Sequence, residues 1–183
     1  KKIKIITILA NYVPYKGHEL AIDAMSYLIK LRDDIKLVCY GDHSDNEKDH
    51  KNFLETKIKE LNLSKYIDIN NFNEDKLQLY RNSSLILIPS KSESFGLTAI
   101  EAMMFSLPII GFEDSGGLKE IVKNNETGYL LKRRNPEEMS KKINYLFDNK
   151  DVYMKFCDNS YRNYLRYFSS DVMTNKYYEV ING

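Results

Sequence analysis

Glu93 and Glu101 are separated by seven residues in the stretch PSKSESFGLTAIE, residues 89–101. The apolar run LILI (85–88) precedes them, and an apolar pattern at helical spacing follows. That order predicts a strand, a loop and a helix start. The first N–H groups of a helix have no partner inside it and attract anions such as phosphate. Gly96 lets a ligand approach the backbone closely there. Glu101 falls about a turn and a half into the helix, where its carboxylate can accept hydrogen bonds from two neighbouring hydroxyls, as on a ribose or a hexose. An anion-binding helix start bracketed by two such acids suits a nucleotide sugar. Residue type alone leaves a plainer account open. Glutamate near a helix N-terminus is favoured by the macrodipole and is a good helix former.

Lys16 and Gly17 form the second candidate site. They follow an apolar run, IKIITILA (3–10), and precede a helical pattern, so the ammonium would reach a diphosphate at the same end of the strands. A solvated surface lysine is the competing account. Gly116-Gly117 permits a tight turn beside a ligand or merely opens the next helix. The fingerprint GxGxxG is absent, and so is a phosphate loop ending in Gly-Lys-Ser/Thr, which argues against common dehydrogenases and NTPases.

The elements that must position these groups alternate. Strands are expected at 3–10, 35–41, 66–70, 85–90, 107–113 and TGYLL (127–131). Helices are expected at 17–31, with Leu20, Ala24, Tyr27, Leu28 and Leu31 at helical spacing, and at 47–62. Others open near Asn73, taken as an N-cap, and after Glu93, with Leu97, Ile100 and Met104 on one stripe. A short helix at 116–123, one at 136–148 with Pro136 in its first turn, and a helical tail from about residue 150 complete the chain. Repeated strand–helix alternation with short crossovers predicts an α/β, doubly wound, mostly parallel six-stranded sheet with helices on both faces. Ligands bind such sheets outside the carboxyl ends of the strands. The loops expected at that edge are 11–17, 41–46, 71–74, 89–96 and 113–117.

Composition fits one ordered domain, 1–183, since 43% hydrophobic and 29% charged residues are neither a disordered nor a membrane composition. A net charge of +1 gives no general pull toward nucleic acid. Cys39 and Cys157 make no disulfide framework, and His18, His43 and His50 have no zinc-gripping spacing, so no metal is expected. No apolar run reaches the length of a membrane span, and a cytoplasmic setting is expected. The chain opens on Lys1 rather than methionine, as a piece of a longer protein would.

Taken in order, Lys16-Gly17, Gly41, LQLYRNSSLILIPSKSESFGLTAIEAM, Pro108, SGGLKEIVKNNETGYLL and NPEEMSKKINYLFDN resemble the C-terminal, donor-binding domain of retaining GT-B glycosyltransferases, family 4, also called group 1. The resemblance covers nearly the whole chain. It implies one Rossmann-like half of a GT-B fold, with the N-terminal acceptor domain outside this sequence. Glu93 would contact hydroxyls of the donor sugar. Ser94, Phe95, Gly96 and Leu97 would line the sugar and phosphate pocket, largely through backbone amides. Glu101 would hold the ribose hydroxyls, and Lys16, with Gly17, would sit against the diphosphate and neutralise it as it leaves, without a metal or other cofactor. The base, UDP ahead of GDP, would lie near residues 71–74, Phe72 among them, and near Gly41.

The sequence departs from the family pattern at Asn11, where an arginine on the diphosphate is usual; Arg81 and Lys91 are the cations considered as substitutes. The partners implied are a nucleotide sugar, the missing domain and a glycan or lipid acceptor, with peripheral association of the full protein at the inner membrane face. A standalone nucleotide-sugar-binding module and a GT-B relative such as a nucleotide-sugar epimerase are the alternatives.

Overall fold

The computed structural model describes residues 2–42, 48–72 and 75–182. Its strands are β1 (Lys4–Leu9), β2 (Ile35–Tyr40), β3 (Ile67–Asn70), β4 (Leu85–Leu87), β5 (Ile109–Phe112) and β6 (Gly128–Leu131). A 3-10 turn, Pro14–Lys16, precedes α1 (His18–Leu28). The other helices are α2 (Lys48–Glu60), α3 (Lys76–Asn82), α4 (Leu97–Met104), α5 (Leu118–Ile121), α6 (Pro136–Asp148), α7 (Lys150–Asn163) and α8 (Ser170–Asn182), with a π-helical turn, Tyr164–Phe168, joining the last two. The six strands form one sheet in the order β3-β2-β1-β4-β5-β6, and every pairing is parallel. This is the doubly wound α/β fold the alternation predicts.

Side chains on a strand point alternately to its two faces, so both faces of this sheet read as core. Ile6, Ile8, Leu85, Leu87, Ile110, Phe112, Tyr129 and Leu131 face a core shared with α1, α2 and α6. Leu9, Ile86, Ile88, Ile109 and Leu130 face the other, shared with α3, α4 and α5. β4 is shorter than expected because Pro89 brings no N–H to the ladder. Pro136 does open α6, and Asn135 caps it by accepting the Glu138 N–H at 2.8 Å. At α3 the cap is Asp75, whose carboxylate accepts the Leu77 N–H at 3.0 Å. Asn73, the expected cap, lies outside the described residues.

The helical tail passes from one core to the other. Phe156 of α7 is buried with the first, while Tyr164 and Phe168 pack against the second. On the way the Tyr153 hydroxyl donates to the Ser84 carbonyl (2.8 Å) and Ser160 to the Thr127 carbonyl (3.3 Å). Ser84 and Thr127 stand just before β4 and β6, so α7 crosses the amino-terminal edge of the sheet.

α1 buries His18, Ala21, Ile22, Ala24, Met25 and Leu28; Tyr27 and Leu31, expected inside, are exposed. His18 is 1% exposed and its ring leans on that of Tyr12, 5.1 Å between centroids. Burial is the main cause, and the nearby His50 charge a further one, that lower its pKa from 6.5 to about 4. The fold therefore holds the neutral ring, and this stabilisation is complete above pH 6.5 and declines as pH falls toward 4. Between pH 7 and 4.5 the unfolding free energy should drop by about 2 kcal/mol from this residue. Urea titrations at both pH values check this: His18→Gln should flatten the dependence, and an unchanged slope in the variant would refute it.

Candidate functional site

β1 and β4 are neighbours, and the chain winds outward from them in opposite directions, to β2 and β3 on one side and to β5 and β6 on the other. The loops after β1 and β4 therefore stand at the reversal of strand order, the place where doubly wound sheets bind ligands. They also touch through backbone. Gly17 adopts φ 77°, and a Cβ on it would stand 2.2 Å from the Pro89 carbonyl oxygen. The Lys91 N–H donates to the Tyr15 carbonyl at 2.8 Å.

This contact brings the first two predicted groups together. Lys16, the last residue of the 3-10 turn, donates from Nζ to Glu93 Oε1 at 2.8 Å. Both side chains are largely withdrawn from water, at 20% and 16% exposure. The Glu93 main chain is held from the far side, where the Gly117 N–H donates to its carbonyl at 2.9 Å. Gly116-Gly117 lies this close because it lacks side chains: a Cβ on Gly116 would meet the Glu93 oxygen at 2.7 Å.

α4 starts immediately after. Gly96 is its N-cap at φ 72°, packed on Ile121, and no side chain caps the helix. Ser94, Phe95 and Leu97 stand exposed around that start, Phe95 at 55% and Leu97 at 61%. The buried stripe of α4 is accordingly Ala99, Ala102 and Met103 rather than Leu97, Ile100 and Met104. The helix begins at Leu97 itself, so its first turn faces the rim, and two alanines bring the following turn against the sheet.

Glu101 turns toward α3. Its carboxylate accepts from Lys76 Nζ (2.7 Å) and from the Tyr80 hydroxyl (2.5 Å). Tyr80 is buried and stacked on Phe105, 5.3 Å between centroids. Burial first, and the adjoining carboxylate second, push its pKa far up, so it remains a donor. Lys76 is the first residue of α3, which leaves the carboxyl edge after β3. The two acids thus flank the start of α4, Glu93 on the β1 side and Glu101 on the α3 side.

The outer part of the rim is built by Tyr12. Its hydroxyl lies within hydrogen-bond distance of the carbonyls of Cys39 (3.0 Å) and Asn70 (2.5 Å), which share its one proton, and accepts the Asn70 N–H (3.1 Å), tying the chain after β1 to β2 and β3. Asn11 is exposed beside it. Gly41 lies so close to β1 that a Cβ would stand 2.1 Å from the Ala10 oxygen. Phe72 is half-buried, and its N–H donates to Asp42 at 3.3 Å. Residues 43–46, 73 and 74 of these two loops lie outside the described residues. Of the cations weighed against Asn11, Lys91 is on the rim, whereas Arg81 sits in the last turn of α3, near the start of β4 and so toward the opposite edge.

One rim residue was not expected from sequence. Arg134, after β6, reaches back to the Pro89 and Ser90 carbonyls, both at 2.8 Å. Its signal is the run Lys132-Arg133-Arg134 after the sixth strand, in a carboxyl-edge loop beyond the five expected. Among the described residues no three of His, Cys, Asp and Glu stand together as a metal site, and no helix is long and apolar enough to cross a membrane.

The sheet order defines a doubly wound α/β domain, with Lys16, Glu93 and the start of α4 gathered at its strand reversal. The model of the family "Glycosyl transferases group 1" matches residues 1–163. The chain belongs to that family. A glycosyltransferase of Haemophilus influenzae is 32% identical over 159 residues, 86% of this chain and 43% of the relative. The C-terminal domain of a group 1 glycosyl transferase of Francisella tularensis, solved by itself, superposes at TM-score 0.83 with 26% identity, covering 91% of this chain and 87% of that one. Anabaena HepE, solved with UDP, has the same fold at TM-score 0.91 and 21% identity, covering 99% of this chain and 49% of HepE. It is also solved with UDP-glucose. The chain thus spans less than half the length of the Haemophilus relative and of HepE.

The loop contact gives a direct test. Gly17→Ala places a methyl against Pro89 at a positive φ and should lower unfolding free energy by about 1–3 kcal/mol. Urea denaturation measures it, and a neutral result would mean the two loops do not touch as described.

Proposed function

We propose that the chain is the donor-substrate domain of a metal-independent, retaining family 4 glycosyltransferase, which moves a sugar from a nucleoside-diphosphate sugar to a glycan or lipid acceptor. The observation that carries this is the Lys16–Glu93 pair at the strand reversal, beside the uncapped start of α4. A diphosphate in that crevice would meet an ammonium and a set of free main-chain amides together. These stabilise the charge that develops on the leaving group, the work a metal does elsewhere. Group 1 membership and the nucleotide seen in HepE, which shares the fold, support the same reading.

The roles divide along the crevice. Lys16, Gly17 and the amides at Ser94, Phe95, Gly96 and Leu97 take the diphosphate and the near side of the sugar. Glu93 takes sugar hydroxyls. Glu101, oriented by Lys76 and Tyr80, takes the ribose hydroxyls with lone pairs its present partners leave open. Asn11 stands on the diphosphate side, and Gly41 and Phe72 lie by the base, for which we favour uridine over guanosine. The acceptor is bound by a second, N-terminal domain of the full-length enzyme, and the isolated domain binds donor without appreciable transfer.

Binding has a specific consequence. In the free chain Glu93 neutralises the Lys16 ammonium, so a bare nucleoside diphosphate must displace a carboxylate, whereas a nucleotide sugar gives that carboxylate new hydroxyl partners. UDP at a hundredfold excess over its dissociation constant should raise the melting temperature by about 5–10 °C, with or without magnesium. No shift with UDP, GDP or ADP at millimolar concentration would defeat the reading. By calorimetry, Glu93→Gln should leave UDP binding intact or tighter while cutting the added affinity of UDP-glucose about tenfold. Equal losses for both ligands would remove the role given to Glu93.

A further inference from the structure

Arg134 gathers the ends of three strands. Its guanidinium lies over the Phe112 ring, 4.4 Å from the centroid, at the end of β5. Nη1 donates to the Pro89 carbonyl and Nη2 to that of Ser90, both at 2.8 Å, just beyond β4. Nη2 and Nε also reach the two oxygens of Asp114, at 2.7 and 3.3 Å, and Nη2 stands 3.3 Å from the Ser115 hydroxyl. Ser115, fully buried, donates in turn to the Ser90 carbonyl at 2.5 Å.

We propose that Arg134 is a positioning residue for the donor loop: it fixes Pro89-Ser90 at the loop's root so that Glu93 meets Lys16. The inference rests on the function proposed above. Pro89 is the pivot, because its carbonyl takes the arginine on one side and is pressed against Gly17 on the other. From there the chain runs four residues to Glu93, whose own carbonyl is held by Gly117 two residues beyond Ser115. One cation therefore sets both attachments of the segment, at residues 89–90 and through the β5–α5 turn. Arginine suits this position because its planar fork spans two successive carbonyls and a carboxylate while stacking on an aromatic face, which an ammonium does not do. Its bonds are directed to the protein and its charge is matched by Asp114, so it acts through the loop and does not replace the missing cation at Asn11.

The test compares wild type with R134Q by calorimetry, using UDP and UDP-glucose, or the nucleotide pair chosen by the thermal screen, together with amide hydrogen exchange on the ligand-free chain. R134Q should bind UDP within about threefold of wild type and lose about tenfold in nucleotide-sugar affinity. The Gly117 amide should exchange faster, as its bond to the Glu93 carbonyl loosens. R134Q/E93Q should be no weaker for the sugar nucleotide than R134Q, because residues acting as one unit are not additive. An additive double variant, unchanged Gly117 exchange, or equal loss for both ligands would overturn the proposal, the last by making Arg134 a phosphate ligand. If R134Q does not fold, D114N at an exposed carboxylate removes the anchor of the guanidinium and should shift the same readouts in the same direction; no shift would be equally fatal. A wild-type chain that binds neither nucleotide defeats the functional reading instead, and the Gly117 exchange rate still decides whether Arg134 holds the loop.

Discussion

The reversal of strand order between β1 and β4 is the constraint from which the rest follows. Two crossovers that depart in opposite directions cannot cover the same ground, so the carboxyl edge opens where they part. Lys16 and Glu93 are 77 positions apart in the chain, and only this topology sets them side by side. Their ion pair is accordingly not a local device of one loop. It exists because two glycine-dependent approaches, Gly17 to Pro89 and Gly116 to Glu93, bring three loops within backbone contact.

Much of this was legible in the sequence, for identifiable reasons. Fully apolar runs such as LILI mark strands buried on both faces, and each alternated with a helical pattern, so the sheet and its two layers followed. Glu93, Gly96 and Lys16 stood at strand-to-helix junctions, with Glu101 one turn into the helix, and junctions of one kind share one edge. Side-chain facing was less legible. Leu97 carries an apolar side chain at the first helical position, where exposure depends on what lies beyond the rim and not on periodicity. Asp75 caps α3, and several acceptors in a row near a helix start do not announce which one is used.

Arg134 illustrates a different limit. Its function depends on reaching across β5 to β4, contacts 44 and 45 residues away in sequence. A basic residue after a strand reads as a solvated surface charge unless the order of strands is already known. Partners such as the Lys76–Glu101 and Tyr80–Glu101 bonds are hidden in the same way. Side-chain type and spacing nominate the acid, but what orients it belongs to a neighbouring helix.

The tail gives the domain a mechanical asymmetry. By passing beneath the sheet and engaging both layers, α7 and the π-helical turn act as a girdle at the base, with Phe156 as one stud and Phe168 as the other. The two edges of the sheet are therefore built differently: the tail belts the amino-terminal edge, and loops alone make the carboxyl edge where the strand order reverses.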